Sequence, residues 1–474
     1  MRKLTGRITE IEVLEKIKTS SRAEFVAVYG RRRVGKTYLI KQFFQENFTF
    51  YLTGMANATT PLQIGNFISA YRQYHDLEIN EIPTNWFEAF DLLRKLIEAK
   101  GTELCVVFLD EMPWLDTPRS NFVMALEYFW NSYSSSKNNL KLITCGSAAS
   151  WMIHKLINNN GGLHNRVTKR LHIQPFTLKE TEQFFQAKNI IFERYQITEL
   201  YLILGGIPFY LEEIETGLSV AQNIDKLCFS PTGLIRNEYQ NLFKSLFKDA
   251  QNHEAIINVL ATKSKGLVRD EIIKLAKISN GGSSSKVLEE LEYSGFIRKY
   301  QPFNGKIRNS LYQITDPFVL FYFQFMKNTK TEGEGAWLNQ IDSPKYKAWS
   351  GYAFENICLL HISAIKKALG INGIYSENSA WRSYNKEENA QIDLLIDRKD
   401  NVISVCEMKF CNDEFVITKD YAEKLRKKLN VFKAESKTKK SLFLTIISTY
   451  GVQKNAHFLG LVQNSLTIDD LFTQ

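Results

Sequence analysis

The chain has no run of about 18 apolar residues, the length a helix needs to cross a bilayer. The nearest approach, PFVLFYFQFM from Pro317 to Met326, is too short to span and reads as a buried strand or helix. The amino terminus MRKLTGRITEIEVLEKI has neither the apolar stretch nor the small-residue cleavage site of a signal peptide, and its acidic residues do not suit a transit peptide. A soluble, cytoplasmic protein with no membrane partner is expected. Cysteine is sparse: Cys105, Cys145, Cys228, Cys358, Cys406 and Cys411 are scattered, with no CxxC pair and no Cys/His cluster. That argues against a disulfide framework and against a zinc site. Internal repeats and low-complexity tracts are also missing, which removes solenoids from consideration.

What is present points to several folded domains. The 474 residues exceed one ordinary hydrophobic core, so three or four domains of roughly 100 to 200 residues are expected. The net charge of +9 permits contact with a polyanion, and equally fits a solvated basic surface. From Arg7 to about Pro175, apolar stretches (EFVAVYG, FTFYLTG, LCVVFLD, LKLITCGS, RLHIQPF) alternate with amphipathic helices, the pattern of a parallel sheet covered by helices. Residues 1–177 are read as this α/β domain. Residues 178–248 have helical period and a Gly-Gly break before Pro208, and read as a helical lid. Over 249–328, two helices around a glycine-containing turn precede two strands about Asn304-Gly305, which predicts a winged helix with a hairpin wing. TKTEGEGA, from Thr329 to Ala336, reads as a linker. Residues 337–474 then form a second α/β domain, with AQIDLLID and VISVCEMKF as strands about an RKDN turn.

The most specific motif is VYGRRRVGKTYLI, which matches G-x-x-x-x-G-K-[ST] at Gly30, Gly35, Lys36 and Thr37. A strand precedes it and an amphipathic helix follows, the context a P-loop requires. Backbone N–H groups of Arg31, Arg32, Arg33 and Val34 would then surround phosphates, with Tyr38 beginning the helix beyond. Lys36 would reach the β and γ oxygens, and the Thr37 hydroxyl would sit on Mg²⁺. The three arginines are thereby explained as loop interior rather than a nucleic-acid patch. Roughly 75 residues on, CVVFLDEMPWLD ends a strand in Asp110, suited to the Mg²⁺ shell, and Glu111, suited to orienting the attacking water. Ser147, after a third strand, is open to two readings: a γ-phosphate sensor or a helix N-cap. Arg166 is likewise either a surface residue or a cation for transition-state charge, in its own chain or a neighbour's; only the latter hints at self-association.

With these residues the sequence resembles prokaryotic ATPases of the AAA+/STAND division, the archaeal-type ATPase family that carries a carboxy-terminal nuclease-like domain. The stretches responsible are GRITEIEVL, YGRRRVGKT, VVFLDEMPWL, TCGSAASWM, HNRVTKRLHIQPF and LGGIPFYL. The resemblance implies ATP rather than a guanine nucleotide, since no Asn-Lys-x-Asp stretch occurs. It also implies that Gly206 to Pro208 mark a lid segment following the nucleotide, and that GRITE lies near the base. A second sensor arginine is not found in the lid, a departure from the pattern.

A second constellation lies near the carboxyl end. Glu407-x-Lys409 puts two side chains on one face of a strand, and a hairpin can bring Asp393, fourteen residues earlier, beside Glu407. Two such carboxylates, joined by Glu355 on the helix GYAFENICLL, can bind Mg²⁺, with Lys409 orienting water or stabilising phosphorane charge. The set resembles the PD-(D/E)XK nuclease superfamily, with Ile392 in place of the motif's proline. An exposed hairpin with paired charges is the plain alternative. Lys286, Arg298, Lys299, Lys306 and Arg308 surround the expected wing, suited either to DNA phosphates or to an interdomain spacer. The sequence therefore predicts ATP and Mg²⁺ as cofactors and DNA as the partner to test, with cleavage left open.

Overall fold

In a computed structural model of the chain, which describes residues 4–473 apart from 75–81, 160, 248, 264–265, 306, 330–334, 342, 384 and 386–389, the five apolar stretches of the amino-terminal part all become strands. They are β1 (Glu24–Tyr29), β2 (Phe50–Thr53), β3 (Cys105–Asp110), β4 (Leu140–Gly146) and β5 (Lys169–His172), in the order β2-β3-β4-β1-β5 and all parallel. β3 and β4 are buried along their whole length because helices cover both faces of the sheet, which is why they read as continuous apolar runs. Among the covering helices, Trp86–Ala99 and Phe122–Ser132 interlock through Trp86 against Phe122, with ring centroids 4.8 Å apart, and Phe90 against Phe129 at 5.0 Å. Parallel connection carries every strand's carboxyl end to one edge of the sheet, and the phosphate loop emerges there. These strands and helices belong to one compact unit, residues 1–175; residues 176–474 form a second.

The second unit begins with helices Leu178–Ala187 and Arg194–Leu204, the first closed by a reciprocal cap between Thr177 and Glu180. Gly206 passes so near Phe176 that a Cβ would stand 1.8 Å from the Phe176 carbonyl oxygen, and its own carbonyl accepts from Phe176 N at 2.6 Å. Only glycine fits there. Pro317–Met326 is helical, with Asp316 capping Val319 N at 2.7 Å and the last turn of π form.

Three helices, Gln251–Ala261, Arg269–Ala276 and Gly282–Tyr293, accompany an antiparallel sheet of β6 (Leu267–Val268), β7 (Ile297–Tyr300) and β8 (Leu311–Ile314), ordered β6-β8-β7. The sequence predicts a tight hairpin at Asn304-Gly305; instead ten residues, 301–310, separate β7 from β8. Asn304 does take a left-handed turn conformation, with φ 53°. The detour has an apolar cause. Phe303 N donates to Ala380 O at 2.8 Å, and the Phe303 ring packs 5.2 Å from Phe432 inside the core of the last sheet. Of the expected linker, 330–334 lie outside the described residues; beyond them, Gly335 N and Trp337 N both donate to Asp225 at 2.6 Å, and Trp337 is buried.

That last sheet is β9 (Ser376–Arg382), β10 (Gln391–Arg398), β11 (Val402–Lys409), β12 (Ser441–Ser448) and β13 (Asn464–Leu466), ordered β13-β12-β11-β10-β9. Its β9, β10 and β11 are antiparallel neighbours, while β11, β12 and β13 run parallel. The helix Pro344–Leu360 precedes it, and Lys419–Ser436 forms the crossover from β11 to β12. No helix among the described residues is long and apolar enough to cross a membrane.

Candidate functional site

β1 delivers the chain into a loop whose glycines are fixed by geometry. Gly30 has φ 144°, and a Cβ there would lie 2.2 Å from Ile173 O. Gly35 has φ 86° and opens the helix Lys36–Phe43. Arg33 is also left-handed, with φ 70°, and left-handed residues of this kind belong to the backbone turns that receive anions. From outside the motif, the buried Arg7 donates through Nη2 to Val34 O at 3.0 Å and braces the loop. Arg7 belongs to the GRITE segment, so that segment contacts the phosphate loop itself. Arg31 is buried, Arg32 half-buried, and Tyr38 exposed.

Three strand ends then converge. Lys36 Nζ, only 5% exposed, donates to Gly30 O at 3.1 Å, Arg31 O at 2.8 Å and Ser147 Oγ at 3.1 Å. Every acceptor is neutral, so the ammonium is solvated without being neutralised, and a phosphate offers it a stronger partner. Thr37 Oγ1 donates to both oxygens of Asp110, at 3.0 and 2.9 Å. Burial, and then the neighbouring Glu111 charge, push the Asp110 carboxyl pKa up. This hydroxyl and carboxylate are hard oxygen donors of the kind Mg²⁺ takes. Glu111, in a left-handed turn with φ 45°, receives Ser147 Oγ at 2.5 Å and Ser147 N at 3.2 Å. Ser147 is therefore part of this cluster; the helix after β4 is preceded by Ala148 instead, without a side-chain cap.

Arg166 takes the first of its two readings, a surface residue. It is exposed in the turn before β5, and Thr168 N, two residues on, donates to Phe25 O at the start of β1. The loop leaves the other end of β1, so Arg166 stands at the opposite edge of the sheet, ~16 Å of strand away. It cannot serve the phosphate site of its own chain. Pro208 lies in the second unit, at the first position of the helix Pro208–Leu211.

The carboxyl-terminal set lies on β10, β11 and the helix Pro344–Leu360. β10 pairs with β11 up to Leu394 opposite Cys406, so Asp393 and Glu407 occupy the next step, and a bulge against β9 between Ile392 and Leu395 re-aims Asp393. Asp393 Oδ1 accepts from Gln391 Nε2 at 2.5 Å. Glu407 is already engaged: Lys409 reaches it at 2.9 Å, Lys428 at 2.7 Å and the Tyr421 hydroxyl at 2.6 Å. Despite burial, these two ammonium groups hold the Glu407 pKa down at about 2. Burial, then the charges of Asp393 and Glu407, push Glu355 up to about 8. The three carboxylates thus sense one another, yet no group of three or more metal-ligating side chains converges among the described residues. The sequence reading missed Tyr421 and Lys428. Seven residues apart on one helix, they share a face, a signal too common to have singled them out.

The parallel sheet and the loop at its carboxyl edge define the first unit as a P-loop nucleotide-binding fold. Residues 4–214 match the model of a family described as an ATPase domain predominantly from Archaea, and the protein is an ATPase. The uncharacterized protein MJECL04 of Methanocaldococcus jannaschii is 25% identical over 357 residues, covering 74% of this chain and 75% of that protein. The uncharacterized ATP-binding protein MJ0423 of the same organism is 49% identical over 40 residues, 8% of this chain and 68% of its own. Among solved structures, the Walker-type ATPase PABY2304 of Pyrococcus abyssi is similar at 20% identity and a TM-score of 0.49, covering 68% of this chain and 96% of that one. The Aeropyrum pernix ORC2 protein is similar at 13% identity and a TM-score of 0.42, covering 67% and 93%.

Proposed function

We propose that the chain is an ATP-operated switch, in which the nucleotide state of residues 1–175 controls what residues 176–474 do to nucleic acid. The observation that carries it is the joined cluster Lys36, Ser147 and Glu111, because one hydroxyl links the phosphate-seeking ammonium to the water-orienting carboxylate. In this reading Lys36 and the loop amides hold the phosphates, Thr37 and Asp110 hold Mg²⁺, and Glu111 positions the attacking water. Bound Mg²⁺ supplies charge neutralisation at the phosphate oxygens. Occupancy by ATP draws Lys36 from Ser147 and thereby changes what holds Glu111, a local event tied to the presence of the γ-phosphate.

The second unit has two readings. In the first, the helices and sheet of 249–328 are a winged helix, and 337–474 are a nuclease-like domain whose Glu355, Asp393 and Glu407 hold Mg²⁺ beside Lys409, acting on DNA. The hairpin register, which puts Asp393 and Glu407 at the same step beyond Leu394 and Cys406, supports it. In the second, this domain is a binding platform that does not cleave, and what favours it is that Glu407 is held by two lysines and a tyrosine. Plasmid and linear DNA incubated with Mg²⁺, with and without ATP, separate the two. Nicking abolished by Asp393→Ala and Glu407→Ala, with ATP turnover kept, establishes the first; intact DNA beside ATP turnover establishes the second. ATP hydrolysis retained in Lys36→Ala would sink the site assignment common to both.

A further inference from the structure

The match to the ATPase family runs to residue 214, whereas the second compact unit begins at Phe176. The helix Arg194–Leu204 belongs to both, and each of its ends holds a different part of the chain. Toward its carboxyl end, the buried Tyr201 donates its hydroxyl to Phe176 O at 2.7 Å. Phe176 stands three residues beyond Ile173, whose N–H donates to Tyr29 O at 2.8 Å and whose carbonyl leaves no room for a side chain at Gly30. The stretch that abuts the phosphate loop is therefore tied to this helix within a few residues of chain.

At the amino end, Tyr195 stacks on two rings at once. Phe410 lies 5.3 Å away with its plane tilted by 8°, and Tyr450 lies 5.7 Å away with a tilt of 17°. The Tyr195 hydroxyl donates to Asn412 Oδ1 at 3.0 Å. Its neighbour Arg194 reaches Glu182 at 2.8 Å and Asp469 at 3.0 Å, which fixes the first turn of the helix. Phe410 directly follows Lys409 at the end of β11, and Tyr450 stands two residues past β12. Phe410 also meets the Phe354 ring at 5.4 Å, on the helix Pro344–Leu360 and next to Glu355 in sequence. One ring thus bears on both strand ends and, through Phe410, on the helix that carries Glu355. The core of the last sheet is built by other residues, Trp381 and Phe432 among them, so the stack is fastened to the sheet without being part of what holds it together.

Tyr195 and Tyr201 are six residues apart on one helix, a separation of about 9 Å along its axis. A helix of that length moves as a rigid element, and stacked rings settle into discrete rotamers, so a shift at one end is passed to the other as a change of seat. We propose that Tyr195 is a positioning residue: through Phe410 and Tyr450 it sets residues 410–412, at the end of β11, according to the nucleotide state. This rests on the reading of the chain as an ATP-operated switch. It requires neither that Glu355, Asp393 and Glu407 hold a metal nor that the chain cleaves nucleic acid.

Amide hydrogen exchange of the full chain, followed by mass spectrometry over residues 406–413 and 448–452, tests it with Mg²⁺ and a non-hydrolysable ATP analogue as the probe. In wild type the analogue is expected to change exchange in both stretches by about threefold or more, the low end of coupling carried by packed side chains. Tyr195→Ala should abolish that change while keeping ATP turnover. Tyr195→Phe, which retains the stack and loses the Asn412 bond, should preserve it. A wild-type response that persists in Tyr195→Ala overturns the proposal and leaves the switch standing. No response in wild type, with the analogue shown to bind, overturns both. Loss in Tyr195→Phe equal to that in Tyr195→Ala also overturns the proposal, because the stack is then not the link. Should Tyr195→Ala fold poorly, Tyr195→Leu keeps apolar bulk without a ring plane and is judged by the same outcomes.

Discussion

Ser147 sits where three functional elements meet, and its hydroxyl is both acceptor from Lys36 and donor to Glu111. The residues it joins have separable tasks. Lys36→Ala removes the ammonium that meets phosphate, so nucleotide binding should vanish in a titration, whereas Glu111→Gln should keep binding and lose about 100-fold or more in turnover. Equal turnover in Glu111→Gln would move the water-orienting role elsewhere. His361 offers a test in the second unit. Its Nε2 accepts from Leu178 N at 3.0 Å, its Nδ1 donates to Ile357 O at 2.9 Å, and burial pushes its pKa to about 4. Unfolded, it titrates near 6.5, so between these values the unfolded chain binds a proton the folded one refuses. Stability is therefore lost on acidification, by about 2 kcal/mol from this residue between pH 7.5 and pH 5. Urea unfolding at both values should show a steeper loss for wild type than for His361→Gln; parallel slopes would refute it.

At this scale the motif residues were legible because their meaning is local: Gly30, Gly35, Lys36 and Thr37 lie within eight positions, and Asp110 ends an unmistakable strand. Arg166 stayed between two readings because sequence does not say which end of a sheet a turn occupies. Lys428 and Tyr421 reach Glu407 from a helix that follows it, and nothing in their spacing announces that.

Among the elements, the segment between β7 and β8 departs most from expectation. Asn304-Gly305 does turn, but Phe303 beside it anchors in another sheet, against Phe432 and close to Trp381. Side-chain burial beyond the hairpin outweighed the tightest turn. Phe303→Ala should cost about 3 kcal/mol of stability in the second unit and leave ATP turnover unchanged. A loss below about 1 kcal/mol in chemical unfolding would mean that the ring is dispensable to that core. The same anchoring changes how the wing's cations read: Lys286 is exposed and 3.8 Å from Glu290, Lys299 and Arg308 are exposed, Lys306 lies outside the described residues, and Arg298 faces inward. By contrast, the central strands β1, β3 and β4 were readable from apolar runs alone, since burial on both faces leaves no alternation to misread, while the flanking β2 and β5 alternate.

For the whole molecule, the division at 175/176 predicts two unfolding transitions in calorimetry. ATP at about 100 times its Kd should stabilise the transition that contains the phosphate loop by about 2.7 kcal/mol, and Lys36→Ala should abolish that shift. A single transition, unmoved by ATP, would contradict both the division and the site.

The placement of Phe303 also has a consequence in time. During synthesis it emerges 129 residues before Phe432, the ring it will pack against. At 5 to 20 residues per second, the ribosome leaves that ring without its partner for roughly 6 to 26 seconds. Through that interval a greasy side chain waits on a growing chain, and whatever shields it then, chaperone or provisional contact, must let go before the last sheet can close.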